Sequence, residues 1–164
     1  MSSSLRLKED LELNIRWAEV ADSKAISEVE LASGEYENRK EPFNLTCEEF
    51  TQIWTERLSG TNFRTILACH GTQLYGFLTF ENSIKLGHVL ALYIDPAYMR
   101  KGIGRILIEV AAELVLSQGG SSLEVDVEVG NQGGLEFYKN LGFKKIGLLE
   151  DHLYLMRKTL SKHV

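Results

Sequence analysis

The feature that most constrains the fold of this chain is a basic, glycine-containing turn at residues 98–105, YMRKGIGR. An apolar run at residues 89–94 precedes it, and Asp95-Pro96 closes that run, which is typical of a buried strand ending in a turn. Beyond the turn, apolar residues recur every three or four positions and predict one face of a helix: Ile103, Ile106, Leu107, Val110, Ala111, Leu114 and Val115. The sequence therefore predicts a strand that passes into a helix through a tight turn.

Such a turn is suited to holding phosphate groups. The first backbone N–H groups of a helix have no partner within the helix, and the helix dipole places positive charge there. Gly102 and Gly104 have no Cβ, which allows the backbone to approach an anion closely. Arg100, Lys101 and Arg105 add positive charge, or form only a solvated basic edge. Taken alone, the turn is equally compatible with a plain strand-to-helix connection.

Two other phosphate-binding motifs fit these residues less well. The dinucleotide fingerprint requires a third Gly or Ala where this chain has Leu107. The P-loop requires Gly-Lys followed by a hydroxyl residue, whereas Lys101 precedes Gly102 here. Dinucleotides and nucleoside triphosphates are therefore disfavoured as occupants.

Composition limits the classes of protein to which this chain can belong. The chain has 164 residues, 44% of them hydrophobic and 25% charged, which predicts one globular domain at residues 13–160 after a flexible tail at 1–12. A formal net charge of −5 argues against nonspecific nucleic-acid binding. The two cysteines, Cys47 and Cys69, lack zinc-site spacing, and no signal peptide or membrane span is evident. We expect a cytoplasmic protein with no metal, nucleic-acid or membrane partner.

The predicted order of elements is a strand, two helices, three strands, a helix, a strand, a helix and two strands. A capping box at residues 46–49 (TCEE) opens the second helix, and residues 33–45 before it are predicted as a loop. The order corresponds to a mixed α/β sheet in one domain.

A second motif, residues 131–143 (NQGGLEFYKNLGF), follows the long helix and the next strand. Together the two motifs resemble those of the GNAT family, the acetyl-CoA-dependent N-acetyltransferases. That family writes its first motif as Arg or Gln, two residues, Gly, one residue, and Gly or Ala. It often writes its second as Asn, a short helix, Tyr and then Leu-Gly-Phe. The resemblance covers residues 13–159 and extends to the branch that includes ribosomal-protein N-terminal acetyltransferases.

Two positions depart from the family pattern. Met99 stands where Arg or Gln is usual, and Gly134 stands where Ala is commoner. Because backbone N–H groups would hold the pyrophosphate, Met99 removes one side-chain contact without removing the site. Gly134 lowers helix propensity by up to about 1 kcal/mol relative to Ala.

The resemblance implies an α/β (α+β) fold with a mixed, mostly antiparallel sheet of about seven strands and about four helices. It implies acetyl-CoA as co-substrate, with the pantetheine arm paired to the backbone of Leu92, Tyr93 and Ile94. The pyrophosphate would be wrapped by the turn residues Arg100, Lys101, Gly102, Ile103, Gly104 and Arg105. Asn131 would bond the pantetheine or the phosphate side of the cofactor.

For catalysis, the resemblance assigns Tyr138 as the donor of a proton to the departing CoA thiolate, the alternative being a helix tyrosine packed on the sheet. Asp126 falls where the protein-acetylating branch carries a catalytic Glu, which makes it the candidate base for the amine. The acids Glu124, Asp126 and Glu128 alternate on one strand face, which is equally typical of a solvated face. His88, at the start of the strand before the turn, is an alternative base or a surface residue.

The sequence thus predicts an N-acetyltransferase in which a primary amine, on a small molecule or a peptide N-terminus, attacks acetyl-CoA directly in a ternary complex. The alternative is a noncatalytic acyl-CoA-binding or sensing domain with the same fold. Residues 34–45 and 148–152 are expected to frame the acceptor, as such loops do in the family. The sequence does not determine the oligomeric state, and a homodimer is one candidate.

Overall fold

The computed structural model describes residues 2–6, 11–36 and 45–162. Within this part of the chain, eight strands form one sheet and four α-helices pack on it. The strands are β1 (Ser2–Arg6), β2 (Glu12–Trp17), β3 (Phe63–His70), β4 (Gln73–Glu81), β5 (His88–Ile94), β6 (Ser122–Glu128), β7 (Lys144–Leu149) and β8 (Leu153–Thr159). The helices are α1 (Ser23–Tyr36), α2 (Cys47–Ser59), α3 (Ile103–Ser117) and α4 (Gln132–Asn140).

The sheet is mixed and mostly antiparallel, as predicted. Its strand order is β1-β2-β3-β4-β5-β6-β8-β7, and β5 and β6 form the parallel pair. The sheet has one strand more than the seven or so that were predicted. The additional strand is β1, which lies in the segment expected to be a flexible tail and pairs with β2. The remaining elements follow the predicted order.

Helices cover the two faces of the sheet. On one face, α3 and α4 contribute Leu107, Ala111 and Leu135 to a core that also contains Val125 and other strand residues. On the other face, α1 and α2 pack against β3 and β4. The second core cluster comprises Ile26, Val29, Phe50, Trp54, Leu67, Cys69, Leu74 and Phe77. The helices on this face contact β5 but make few or no contacts with the part of the sheet formed by β6, β8 and β7.

The sheet splits between β5 and β6. Their parallel pairing consists of two residue pairs, His88 with Glu124 and Val89 with Val125. Leu90 is then an extra residue in β5, because Phe80 pairs with Val89 and Thr79 with Ala91. From this bulge onward β5 stays paired with β4 and β6 stays paired with β8. The ladder between the two strands therefore ends after Val89 and Val125, and we call the space between their unpaired lengths the β5–β6 cleft.

A local signal explains the start of α2, and burial explains the end of α1. The predicted capping box is confirmed, because Glu49 N donates to Thr46 Oγ1 at 3.1 Å and Thr46 N donates to Glu49 Oε2 at 2.7 Å. Helix α1 runs to Tyr36 and not to the expected loop start at Ser33, because Ser33 and Gly34 are buried against the rest of the fold. The remainder of that predicted loop, residues 37–44, lies outside the described residues.

Candidate active site

The turn at residues 98–105 is built as the glycines predict. Gly102 is the N-cap of α3 and has φ 87°, in the left-handed region that glycine adopts without a steric penalty. Because Gly102 has no side chain that could accept a hydrogen bond, it leaves the first amides of α3 without a side-chain cap. Those amides, from Ile103, Gly104 and Arg105, lie at the positive end of the helix dipole and suit an anion.

Gly104 has a second role that the sequence did not indicate. A Cβ placed on this residue would lie 3.1 Å from Cζ of Phe137, which is closer than ordinary contact. The absence of a side chain thus lets α4 pack directly on the first turn of α3. The two sequence motifs meet at this point, since Phe137 belongs to the second motif and Gly104 to the first.

The entry to the turn is fixed by aromatic packing and a local cap. Asp95 caps a short helical turn at Pro96–Tyr98 by accepting a hydrogen bond from the Ala97 amide at 2.9 Å. Tyr98 packs against Tyr75 in a tilted arrangement, with ring centroids 4.4 Å apart and an angle of 45° between the rings. Burial raises the pKa of Tyr75, so its phenol stays protonated at neutral pH. These contacts hold the turn at the end of β5.

The three predicted pantetheine-binding residues lie along the cleft edge of β5. Leu92 and Ile94 turn their side chains toward the α3 face, where they pack on the core. Tyr93 points to the other face and contacts the Phe77 ring at 5.6 Å. With the side chains held on both faces, the backbone of this strand borders β4 on one side and the cleft on the other.

The side chain of Asn131 forms a hydrogen bond at the start of its own helix. It is the N-cap of α4, and its Oδ1 accepts a hydrogen bond from the Gly134 amide at 2.9 Å. A Cβ on Gly134 would lie 2.6 Å from Asn131 Nδ2, so the Ala that is commoner in the family would displace this side chain. The departure at position 134 therefore has a structural reason, which is to make room for the cap.

Tyr138 lies on α4 and is buried, with 9% of its surface exposed. Its ring contacts Phe137 and Phe143 at centroid distances of 5.0 and 5.2 Å. It belongs to the same core cluster as Val125 and Val127 of β6. The packing expected of a helix tyrosine is thus present, on the α3 face of the sheet.

The acids of β6 lie on the opposite face. Because side chains alternate along a strand, burial of Val125 and Val127 toward α3 directs Glu124, Asp126 and Glu128 the other way. Tyr138 and Asp126 therefore lie on opposite faces of the sheet.

The acidic face is partly neutralised by Arg157, and His88 also lies against it. Arg157 on β8 places Nε and Nη2 at 2.7 and 2.6 Å from Oε1 of Glu124. His88 places Nε2 3.4 Å from Oδ2 of Asp126 and Nδ1 2.8 Å from Oε2 of Glu81. His88, considered above only as an alternative, is thus next to the predicted base, and Glu81 is a neighbour that sequence reasoning missed.

Glu81 can be recognised as a neighbour of His88 only once the strands are paired. It is the last residue of β4, and the pairing of Phe80 with Val89 brings it level with the first residue of β5. Glu81 and His88 flank the short connection between β4 and β5, whereas Asp126 lies on β6, far along the chain, so no motif contains all three residues.

In the second predicted acceptor loop, residues 148–152, Leu148 and Leu149 are the end of β7, and the remaining residues join this edge strand to β8. Among the described residues, no group of three or more His, Cys, Asp or Glu side chains is arranged to hold a metal ion. Within the same ranges, every helix is too short or too polar to cross a membrane.

Comparison with known proteins identifies a family for this chain. The sequence model described as the acetyltransferase (GNAT) family matches residues 26–143. An uncharacterised N-acetyltransferase of Chlorobaculum tepidum is 31% identical over 133 residues, which is 80% of this chain and 76% of that protein. Four other curated relatives are covered over only 23% to 33% of their own length.

Solved structures share the fold. The PaiA N-acetyltransferase of Thermoplasma acidophilum, in complex with coenzyme A, has a TM-score of 0.76 at 21% identity, covering 91% of this chain and 99% of that one. The ribosomal-protein-S18-alanine N-acetyltransferase of Escherichia coli has a TM-score of 0.70 at 18% identity, covering 93% and 96%. At these identities the likeness concerns the fold.

Proposed function

This chain belongs to the acetyltransferase (GNAT) family, and from that premise we propose that it transfers an acetyl group from acetyl-CoA to a primary amine by direct attack in a ternary complex. The observation that carries the proposal is the β5–β6 cleft. It is bordered by the unpaired edge of β5 and lies beside the N-terminus of α3, which follows β5 through one turn.

The cleft suits the two ends of the cofactor. Pantetheine contains amide groups, and the backbone of Leu92, Tyr93 and Ile94 offers a strand edge with which they would pair. The pyrophosphate would lie on the amides at the start of α3, with positive charge from Arg100, Lys101 and Arg105 at the turn. Asn131 would meet the pantetheine or the phosphate side through its Nδ2, since its Oδ1 caps α4.

The faces of the sheet separate the two proton transfers that the reaction requires. The amine must lose a proton before its lone pair attacks the thioester carbon, and Asp126 is the proposed receiver, directly or through a water. A backbone N–H near Ile94 would meet the developing oxyanion. Tyr138 would protonate the departing sulfur from the α3 face. An acetyl group in the cleft would thus have its base on one face of the sheet and its acid on the other.

The proposed acceptor is a primary amine on a small molecule or at a peptide N-terminus. The acids of β6 lie on the face that α1 and α2 leave open, which suits a cationic amine before it loses its proton. We propose a cytoplasmic site of action, and a homodimer as one candidate assembly.

The test follows CoA release with a panel of primary amines and peptides, comparing the unaltered protein with Tyr138→Phe and Asp126→Asn. We expect amine-dependent release, a fall of about 10²-fold in kcat for each variant, and acetyl-CoA affinity within about twofold of the parent. Glu113→Gln, a change on α3 outside the proposed machinery, is the matched control and should retain full activity.

Two results would count against these assignments. Tight acetyl-CoA binding without amine-dependent turnover across the panel would favour the noncatalytic sensing domain. Full activity of Asp126→Asn at every pH would remove Asp126 from the mechanism and leave the acetyl transfer itself intact.

A further inference from the structure

We propose that β7 is an interaction surface through which two copies of this chain pair edge to edge as an antiparallel dimer. The inference goes beyond the proposed acetyl transfer and does not depend on it. Strand β7 (Lys144–Leu149) ends the sheet that the described strands form, and it pairs with β8 on one side. Its other side presents backbone N–H and C=O groups with which a further strand would form hydrogen bonds.

The side chains of β7 are exposed along its whole length. Among the described residues, eight large hydrophobic side chains are exposed, and three of them lie on this one strand. They are Ile146, Leu148 and Leu149, with 46%, 53% and 38% of their surface exposed. Apolar side chains concentrated on an unpaired strand edge indicate a surface that a partner covers.

Both faces of the strand carry apolar groups. Leu148 pairs with Tyr154, which packs on the core of the α3 face. Leu149 pairs with Leu153 and therefore lies on the opposite face, because residues alternate along a strand. A strand placed beside β7 would thus cover apolar surface on the two faces of the sheet at once, in addition to forming backbone hydrogen bonds.

The charges at the two ends of β7 favour a second copy of the chain as the occupant. Residues 144–151 read KKIGLLED, so two lysines precede the apolar centre and two acids follow it. These charged side chains are all exposed. In an antiparallel pair centred near Gly147, the lysines of each copy lie beside Glu150 and Asp151 of the other copy, whereas a parallel pair would place like charges together. The segment is therefore complementary to itself in the antiparallel direction.

Such a pairing closes on itself. A two-fold axis between the copies makes each use the same strand, so the assembly ends at two chains. The other edge of the sheet, β1, lies at the opposite end and takes no part. Because the contact consists of one short strand with a bulge between Lys145 and Gly147, we expect a dissociation constant on the order of 10 µM.

Sedimentation equilibrium of the full chain, from about 1 µM to about 1 mM, tests the proposal. We expect a monomer–dimer equilibrium without larger species. Leu148→Lys should raise the dissociation constant about 100-fold, because two copies of this side chain meet near the two-fold axis. Leu86→Lys is the matched control, since Leu86 is 60% exposed but lies in the short helical turn between β4 and β5. It should leave the dissociation constant unchanged.

An exchange of charges tests the antiparallel alignment. Lys144→Glu and Glu150→Lys should each raise the dissociation constant about tenfold, because like charges then meet twice in every dimer. An equimolar mixture of these two variants has opposite charges at both places, and so does the double variant. Both should dimerise with the dissociation constant of the unaltered protein.

Hydrogen exchange of the unaltered protein gives a readout that requires no substitution. The backbone amides of β7 should exchange more slowly at high protein concentration than at low concentration, while helix α2 should not change. Circular dichroism of each variant should match that of the parent, since the substituted side chains are exposed.

Three outcomes would overturn the proposal or part of it. A parent that stays monomeric up to about 1 mM, with β7 exchange independent of concentration, has no such interface. A dimer that Leu148→Lys leaves intact has its contact elsewhere than on β7. If the mixed charge variants associate no more tightly than either variant alone, the antiparallel alignment is wrong.

Discussion

The two glycines of the turn between β5 and α3 act through different physical causes. Gly102 is required by conformation, since its φ of 87° lies in the left-handed region that side chains disfavour. Gly104 is favoured by packing, since a Cβ there would lie 3.1 Å from Cζ of Phe137 and the ring would have to shift by a few tenths of an ångström. The sequence interpretation gave both the same reason, close approach of the backbone to an anion. That reason stays a prediction for both.

Gly102→Ala separates strain from ligand binding. We expect it to lower the free energy of unfolding by about 1–2 kcal/mol, the cost of the left-handed conformation. It should also weaken acetyl-CoA binding about tenfold, since a shifted turn loses about one charged hydrogen bond to phosphate. Urea unfolding and calorimetric titration measure the two effects.

Gly119→Ala is the matched control for that prediction. Gly119 has φ +83° and nothing within 4 Å of its would-be Cβ, so the change carries the same strain at the other end of α3. Gly119→Ala should lower the free energy of unfolding by a similar amount and leave the affinity for acetyl-CoA unchanged. Equal loss of affinity in both variants would show that strain alone, and not phosphate contact, explains the effect at Gly102.

Among the elements, the start of α4 shows how a departure from a family pattern can be compensated. Glycine is a poor helix former, and Gly134 lies in the first turn of this helix. The missing Cβ leaves room for Asn131 to fold over the helix start and cap it. A capping bond contributes about 1 kcal/mol, about what the glycine costs.

Because the capping bond of Asn131 compensates for the low helix propensity of Gly134, we expect the two residues to be energetically coupled. Gly134→Ala alone should change the free energy of unfolding little, because the gain in propensity is offset by loss of the cap. In an Asn131→Ala background the same change should stabilise by up to about 1 kcal/mol. Urea unfolding of the four proteins gives the coupling energy.

Gly133→Ala is the control for this cycle, since its Cβ would come no closer than 4.0 Å to Asn131 Oδ1. It should stabilise the protein by the same amount in both backgrounds. Additive effects of Gly134→Ala and Asn131→Ala would contradict the steric account of the cap.

At the scale of the whole molecule, the sheet consists of two antiparallel parts joined by a short parallel contact. The strands β1 to β5 form one part and β6, β8 and β7 the other, with two residue pairs between β5 and β6. The unpaired lengths of β5 and β6 border the cleft in which the cofactor is proposed to lie. A ligand that pairs with the edge of β5 would therefore protect the backbone at the split more than elsewhere.

Hydrogen exchange with and without acetyl-CoA tests this arrangement. With acetyl-CoA at 100 times its Kd, we expect amide exchange to slow by up to about 100-fold at residues 92–94 and 103–105. The outer strand β7 and helix α2 serve as internal references and should change little. Protection that is uniform along the chain, or absent from residues 92–94, would contradict the proposed pantetheine position.

Much of the fold followed from local patterns. Apolar spacing, the capping box before α2 and the glycines around α3 act within a few residues, so the order of elements could be predicted. The strand β1 was missed because its residues, SSSLR, have little apolar alternation and gain their order by pairing with β2. The end of α1 was misplaced because burial, and not propensity, extends it to Tyr36.

The strand-turn-helix with Gly102 at its centre, the mixed sheet and the family of this chain could all be predicted from the amino-acid sequence. Each of these depends on residues close together in the chain or on motifs with fixed spacing. The contacts of His88 with Glu81 and Asp126 could not be predicted in this way, since they depend on the register of three strands in the folded sheet. The tertiary structure also decided that Asn131 caps its own helix. Long-range register is set by how the whole sheet packs, and no local pattern encodes it.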